Sequence, residues 1–97
     1  MNHSPGGITV AFVHGAFADS SSWAGVISEL QGRDIRAVAI ANPLRGIGYD
    51  GDYVASAVRQ IDGDVVLVGH SYGGAVITHA GARVSNVRAL VYVAVSI

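Results

Sequence analysis

Cysteine is absent from these 97 residues, so neither disulfide nor thiolate chemistry is available, and a reducing compartment suits the chain. Lysine is absent too. All six cationic side chains are arginine, scattered along the sequence, and they form no basic stripe of the kind that nucleic acid requires. Charge is sparse, at 13% of residues with a net value of -1, while 51% of residues are hydrophobic. That balance excludes a disordered chain and predicts a packed core. Long apolar runs are missing as well. Met1 to Gly7 carries no basic residue, and the apolar run after it stops at His14. It is too short for a signal peptide or a membrane span, so a cytoplasmic location without membrane association is expected. No Gly-Lys-Ser/Thr is present, and no His-x-x-x-His spacing. A phosphate-binding loop of the Gly-Lys-Ser/Thr type and metal ligation therefore have no motif to support them, and no cofactor is expected.

What remains is a chain of single-domain length, read as a flexible leader over residues 1–7 and one structured unit over 8–97. Ile8 to Val13 is a near-continuous apolar run, as expected of a strand covered on both faces. Asp19 to Ser22 offers N-caps for a helix with Val26, Ile27 and Leu30 on one face and Gly32 as its stop. Ile35 to Ile40 reads as a strand ended by Asn42-Pro43, and Leu44 to Gly51 as a loop. Asp52 to Ile61 reads as a helix, Val65 to Val68 as a strand, Tyr72 to Arg83 as a helix rich in small residues, and Val87 to Val95 as a strand. Strands alternating with helices at this spacing predict an α/β fold, a parallel sheet with helices on both faces.

The strongest local signal is Asp64-Val-Val-Leu-Val-Gly69-His70-Ser71-Tyr72-Gly73-Gly74. A buried strand running into Gly-x-Ser-x-Gly, with a helix after it, is the order a nucleophile elbow needs. Ser71 is then the candidate catalytic nucleophile, and Gly69 and Gly73 are glycines because a Cβ there would collide with the adjoining strand or helix. If the strands ending at Val13 and Val68 are neighbours, the backbone N–H groups of Ala16 and Tyr72 can converge on one oxygen as an oxyanion hole. Phe17 and Tyr72 either line the substrate cavity or simply pack. Trp23 reads as a packing residue, and Asp50 and Asp52 as residues that cap or solvate turns. His79 lies eight residues beyond Ser71, ~12 Å along a helix axis, too far to serve it.

Phe12-Val-His14-Gly15-Ala16-Phe17 with Trp23, together with Val66-Leu-Val-Gly69-His70-Ser71-Tyr72-Gly73-Gly74, resembles the α/β-hydrolase superfamily, in particular its small methylesterase-like esterases. The resemblance covers about Ile8 to Ala94. It implies the third to sixth strands of that fold, in the order 4-3-5-6. It further implies Ser71 as nucleophile, Ala16 and Tyr72 as oxyanion donors, and structural roles for His14, Gly15 and His70. His14 would support the oxyanion loop and His70 would point away from the nucleophile. The activity implied is hydrolysis of a small-molecule ester. In the superfamily the triad acid and histidine follow the nucleophile on later loops, and here they would fall beyond Ile97. A truncated, non-catalytic remnant is the alternative expectation. The apolar run Ala89 to Val95 is then expected to form an edge prone to self-association.

Overall fold

The computed structural model describes residues 7–14 and 23–93. Seven elements alternate in the expected order: β1 (Ile8–Val13), α1 (Ala24–Gly32), β2 (Arg36–Ile40), α2 (Ile47–Arg59), β3 (Asp64–His70), α3 (Tyr72–Gly81) and β4 (Val87–Val93). The four strands form one parallel sheet in the order β2-β1-β3-β4. That is the 4-3-5-6 order of the resemblance. Val13 stands opposite both Ile40 and Gly69, and His70 opposite Val93, so all four carboxyl ends open at one edge.

Alternation along the strands divides the core in two. Ala11, Val13, Val65 and Leu67 turn to one face, where Val54, Ala55 and Val58 of α2 and Val76, Ile77 and Ala80 of α3 cover them. Phe12, Ala37 and Val68 turn to the other and meet Trp23, with Ile27 and Leu30 of α1 partly buried against them. Helices thus lie on both faces. Each fully buried Val, Leu or Ile contributes about 1.5–3 kcal/mol, which makes the α2/α3 face the stronger half of the core. Val26 differs from the sequence reading: it is 48% exposed, and the apolar face of α1 is Ile27 and Leu30 alone.

The largest departure is α2, which starts at Ile47 where the sequence suggested a loop to Gly51. Gly48 and Gly51 each cost about 1 kcal/mol in a helix, and tertiary contacts override that cost. Gly46, with φ 120°, redirects the chain, and its carbonyl accepts the Asp50 N–H at 2.8 Å. The Asp50 side chain accepts the Arg45 N–H at 2.9 Å. A Cβ on Gly51 would lie 2.5 Å from Cγ of the His79 ring, so only glycine lets α2 and α3 approach there. At the other boundaries, β3 continues through Gly69 and His70 because pairing with β1 and β4 continues, and α3 ends at Gly81. The Asp19–Ser22 caps and most of the 1–7 leader lie outside the described residues; Gly7, at the leader's end, accepts the Asp64 N–H at 3.0 Å.

Candidate active site

Strand β3 ends at His70 and α3 begins at Tyr72, so Ser71 alone makes the turn. Its φ of 54° and ψ of -119° lie where an L-residue with a side chain is strained, at a cost of about 1–3 kcal/mol. Two backbone bonds hold it there. The Ser71 N–H donates to the Val93 carbonyl at 3.1 Å, and the Ser71 carbonyl accepts the Gly74 N–H at 2.9 Å. The side chain is exposed at the carboxyl edge of the sheet.

The flanking glycines follow from the closeness of this turn. A Cβ on Gly69 would sit 2.6 Å from the Gly73 carbonyl oxygen and 2.8 Å from the Gly74 nitrogen. On Gly73 it would run into the Val13 carbonyl oxygen and lie 2.9 Å from that of His14. Gly69 therefore lets the strand fold back on the helix, and Gly73 lets the helix rest on the end of β1. Tyr72 is the first residue of α3, and the N–H groups of a helix's first turn have no intrahelical acceptor. The positive end of the α3 dipole thus lies beside the Ser71 hydroxyl.

Around the turn the remaining residues are committed elsewhere. The Tyr72 hydroxyl donates to Asp50 Oδ2 at 2.6 Å, and Asp50 is fully buried. Burial, this hydrogen bond and the Asp50 charge push the Tyr72 phenol up to about 12, with the Gly46 N–H opposing them. His70 meets the Trp23 ring edge-on, with centroids 6.0 Å apart, and so faces the α1 side of the sheet. His79 Nε2 lies 3.0 Å from Asp52 Oδ1. His14 is buried, and its carbonyl accepts Asn42 Nδ2 at 3.1 Å, which ties the ends of β1 and β2 together. Gly15, Ala16 and Phe17 lie outside the described residues. Among the described residues no cluster of His, Cys, Asp and Glu is fit to hold a metal ion, and no helix is long and apolar enough to cross a membrane.

Asp50 and Asn42 are the contributors whose place the sequence did not show. Asp50 looked like a solvated turn carboxylate, and only the packing of α2 on α3 brings it under Tyr72. Asn42 looked like a strand end, and the signal that could have marked it is Asn-Pro directly after a buried strand.

Known proteins bear on this arrangement in two ways. The solved structure of an extracellular α/β-hydrolase from a Paenibacillus species superposes with a TM-score of 0.79 at 21% identity, over 93% of this chain and 41% of that one. A pyrethroid hydrolase from Sphingobium faniae JZ-2 superposes with a TM-score of 0.76 at 25% identity, over 91% of this chain and 40% of that one. The chain thus spans about two fifths of the length of these structures. No match was found among curated proteins. The family model described as the alpha/beta hydrolase family matches residues 10–97. With that match over nearly the whole sequence, and a parallel sheet ordered β2-β1-β3-β4, the chain belongs to the α/β-hydrolase family.

Proposed function

We propose that this chain carries the nucleophile half of a serine hydrolase that cleaves small carboxylic esters. The observation that carries the reading is the strained turn at Ser71, φ 54° and ψ -119°, between two glycines that no other residue could replace without moving backbone. A strained residue held exposed between a strand and a helix N-terminus is costly for folding alone and useful for presenting a hydroxyl. A pyrethroid hydrolase among the solved structures, at 25% identity, supports a hydrolytic reaction.

In this reading Ser71 Oγ bonds to the ester carbonyl carbon while its proton passes to a general base. The carbonyl oxygen becomes an oxyanion that accepts the Tyr72 N–H and the Ala16 N–H, each worth ~3 kcal/mol in the transition state. Collapse breaks the bond to the alkoxide, which takes the proton from the base, and water then releases the acid by the reverse sequence. Phe17 borders the ester. Tyr72 does so without its hydroxyl, which is bonded to Asp50. His14, Gly15 and His70 keep the framework roles that the resemblance implies. Asp52 holds His79 and Trp23 packs against His70, so the base and its acid are assigned to residues outside these 97. The lack of cysteine supports a cytoplasmic location.

The chain alone is accordingly expected to hydrolyse an activated aryl ester no faster than buffer, and to accept a fluorophosphonate selectively at Ser71 when imidazole is supplied as the base. Ester turnover that vanishes in Ser71→Ala would move the base to His14. Absence of a Ser71 adduct in folded protein with imidazole present would remove the nucleophile assignment.

A further inference from the structure

The amino ends of β3 and β4 open at the edge of the sheet opposite Ser71. There the turns that follow α2 and α3 enclose an open cleft of about 570 Å³. Arg59, Arg83 and Arg88 all line it, together with Asp64, Ser85 and Asn86. Residues scattered in the sequence are gathered by the fold: half of the chain's six arginines meet at one site.

Their charges are only partly answered. Arg88 Nε lies 3.0 Å from Asp64 Oδ1, and Arg83 Nε lies 3.8 Å from Asp52 Oδ1, a carboxylate already shared with His79. Arg59 has no carboxylate partner among the described residues; its Nη2 donates to the Arg83 carbonyl at 3.3 Å. Arg83 Nη1 in turn donates to the His79 carbonyl at 2.9 Å. These bonds cap the end of α3, and they also hold two guanidinium groups in place while using few of the five N–H donors each carries. The floor is fixed as well, since Asn86 Nδ2 donates to the carbonyls of Val58, Ile61 and Gly63 at 3.1–3.3 Å. Capping explains Arg59 and Arg83 singly. Arg88, held by Asp64, lines the same cleft with donors to spare.

We propose that this cleft binds a small molecule bearing linked phosphoryl groups. Planar guanidinium forks match phosphate oxygens in pairs, and the volume falls in the range of small-ligand sites. A single orthophosphate has oxygens for one or two guanidinium forks, whereas linked phosphoryl groups have enough for all three. The site is independent of the Ser71 chemistry, so neither assignment stands or falls with the other.

Calorimetric titration of the 97-residue chain with inorganic pyrophosphate tests it. Saturable binding is expected, tighter than that of orthophosphate. Arg59→Gln weakens it by about tenfold, the worth of one charge-assisted bond. Asp64→Asn frees Arg88 from its ion pair and tightens binding severalfold. Arg33→Gln, at the C-cap of α1 and paired with Glu29, leaves it unchanged. Circular dichroism checks that each variant is folded. No pyrophosphate binding, binding indifferent to Arg59→Gln, or equal weakening by Arg33→Gln would overturn the proposal.

Discussion

Replacing Gly73 with alanine isolates the close approach on which the Ser71 turn depends. The position is in the first turn of α3, where alanine would ordinarily stabilise a helix by up to about 1 kcal/mol over glycine. Here the new Cβ meets the Val13 carbonyl oxygen, lies 2.9 Å from that of His14 and 3.1 Å from the Val13 carbonyl carbon. All three are backbone atoms of Val13, the last residue of β1, and of His14 directly after it; β1 is hydrogen-bonded to β2 and β3, and no side chain can swing away to relieve the overlap. Forced backbone shifts of this kind cost about 1–3 kcal/mol, so a net loss of about 2 kcal/mol is expected. That is a large part of the 5–15 kcal/mol typical of a domain, and it corresponds to roughly 8–16 °C in Tm at this size. Gly25→Ala is the control. It is also in the first turn of a helix and has open space around its Cβ, so it stabilises by a few tenths to about 1 kcal/mol. Urea titrations followed by circular dichroism report both. Equal stabilities for the two variants would refute the claim that α3 rests on the end of β1.

Ser71→Gly relieves the positive φ and is expected to raise stability by about 1–2 kcal/mol in the same urea assay; no gain would mean that the turn stores no strain. Tyr72→Phe leaves buried Asp50 Oδ2 without its phenol partner and is expected to cost about 1–3 kcal/mol. The folded-state pKa of Tyr72, near 12, exceeds its ordinary value of 10.0, so the stability it confers is whole below pH 10 and lost as pH rises towards 12. Tyr72→Phe flattens that loss, and persistence of the full slope in the variant would contradict the assignment. Strand β4 has Val91, Tyr92 and Val93 at 42%, 48% and 40% exposure and pairs only with β3 among the described residues. Self-association through it is expected, and Val91→Lys with Val93→Lys reduces light scattering; a stable wild-type monomer at micromolar concentration would oppose this.

What the sequence disclosed was set by contacts close along the chain. Ile8 to Val13 and Val65 to Val68 announce buried strands by near-continuous apolar character, and Gly69-x-Ser71-x-Gly73 announces its turn because the strain and the relief lie within five residues. The start of α2 was hidden for the opposite reason. Gly48 and Gly51 read as loop residues, and only His79, 28 positions after Gly51, explains why a helix tolerates glycine there. Asp50 under Tyr72 and Arg59 beside Arg83 are likewise products of tertiary packing, with partners more than twenty residues apart. Val26 shows the limit of spacing alone: it lies one turn before Leu30, yet it is 48% exposed while Ile27 and Leu30 pack on the sheet.

The most direct test of Ser71 as an activated elbow serine is intact-mass analysis and peptide mapping of the 97-residue chain after exposure to a fluorophosphonate, with and without added imidazole. Imidazole stands in for the general base that the proposed mechanism assigns to residues outside this chain. The account predicts one adduct, mapped to Ser71, forming faster with imidazole and absent in Ser71→Ala. Adducts spread evenly over the exposed serines, or none at Ser71 in folded protein under either condition, would contradict it.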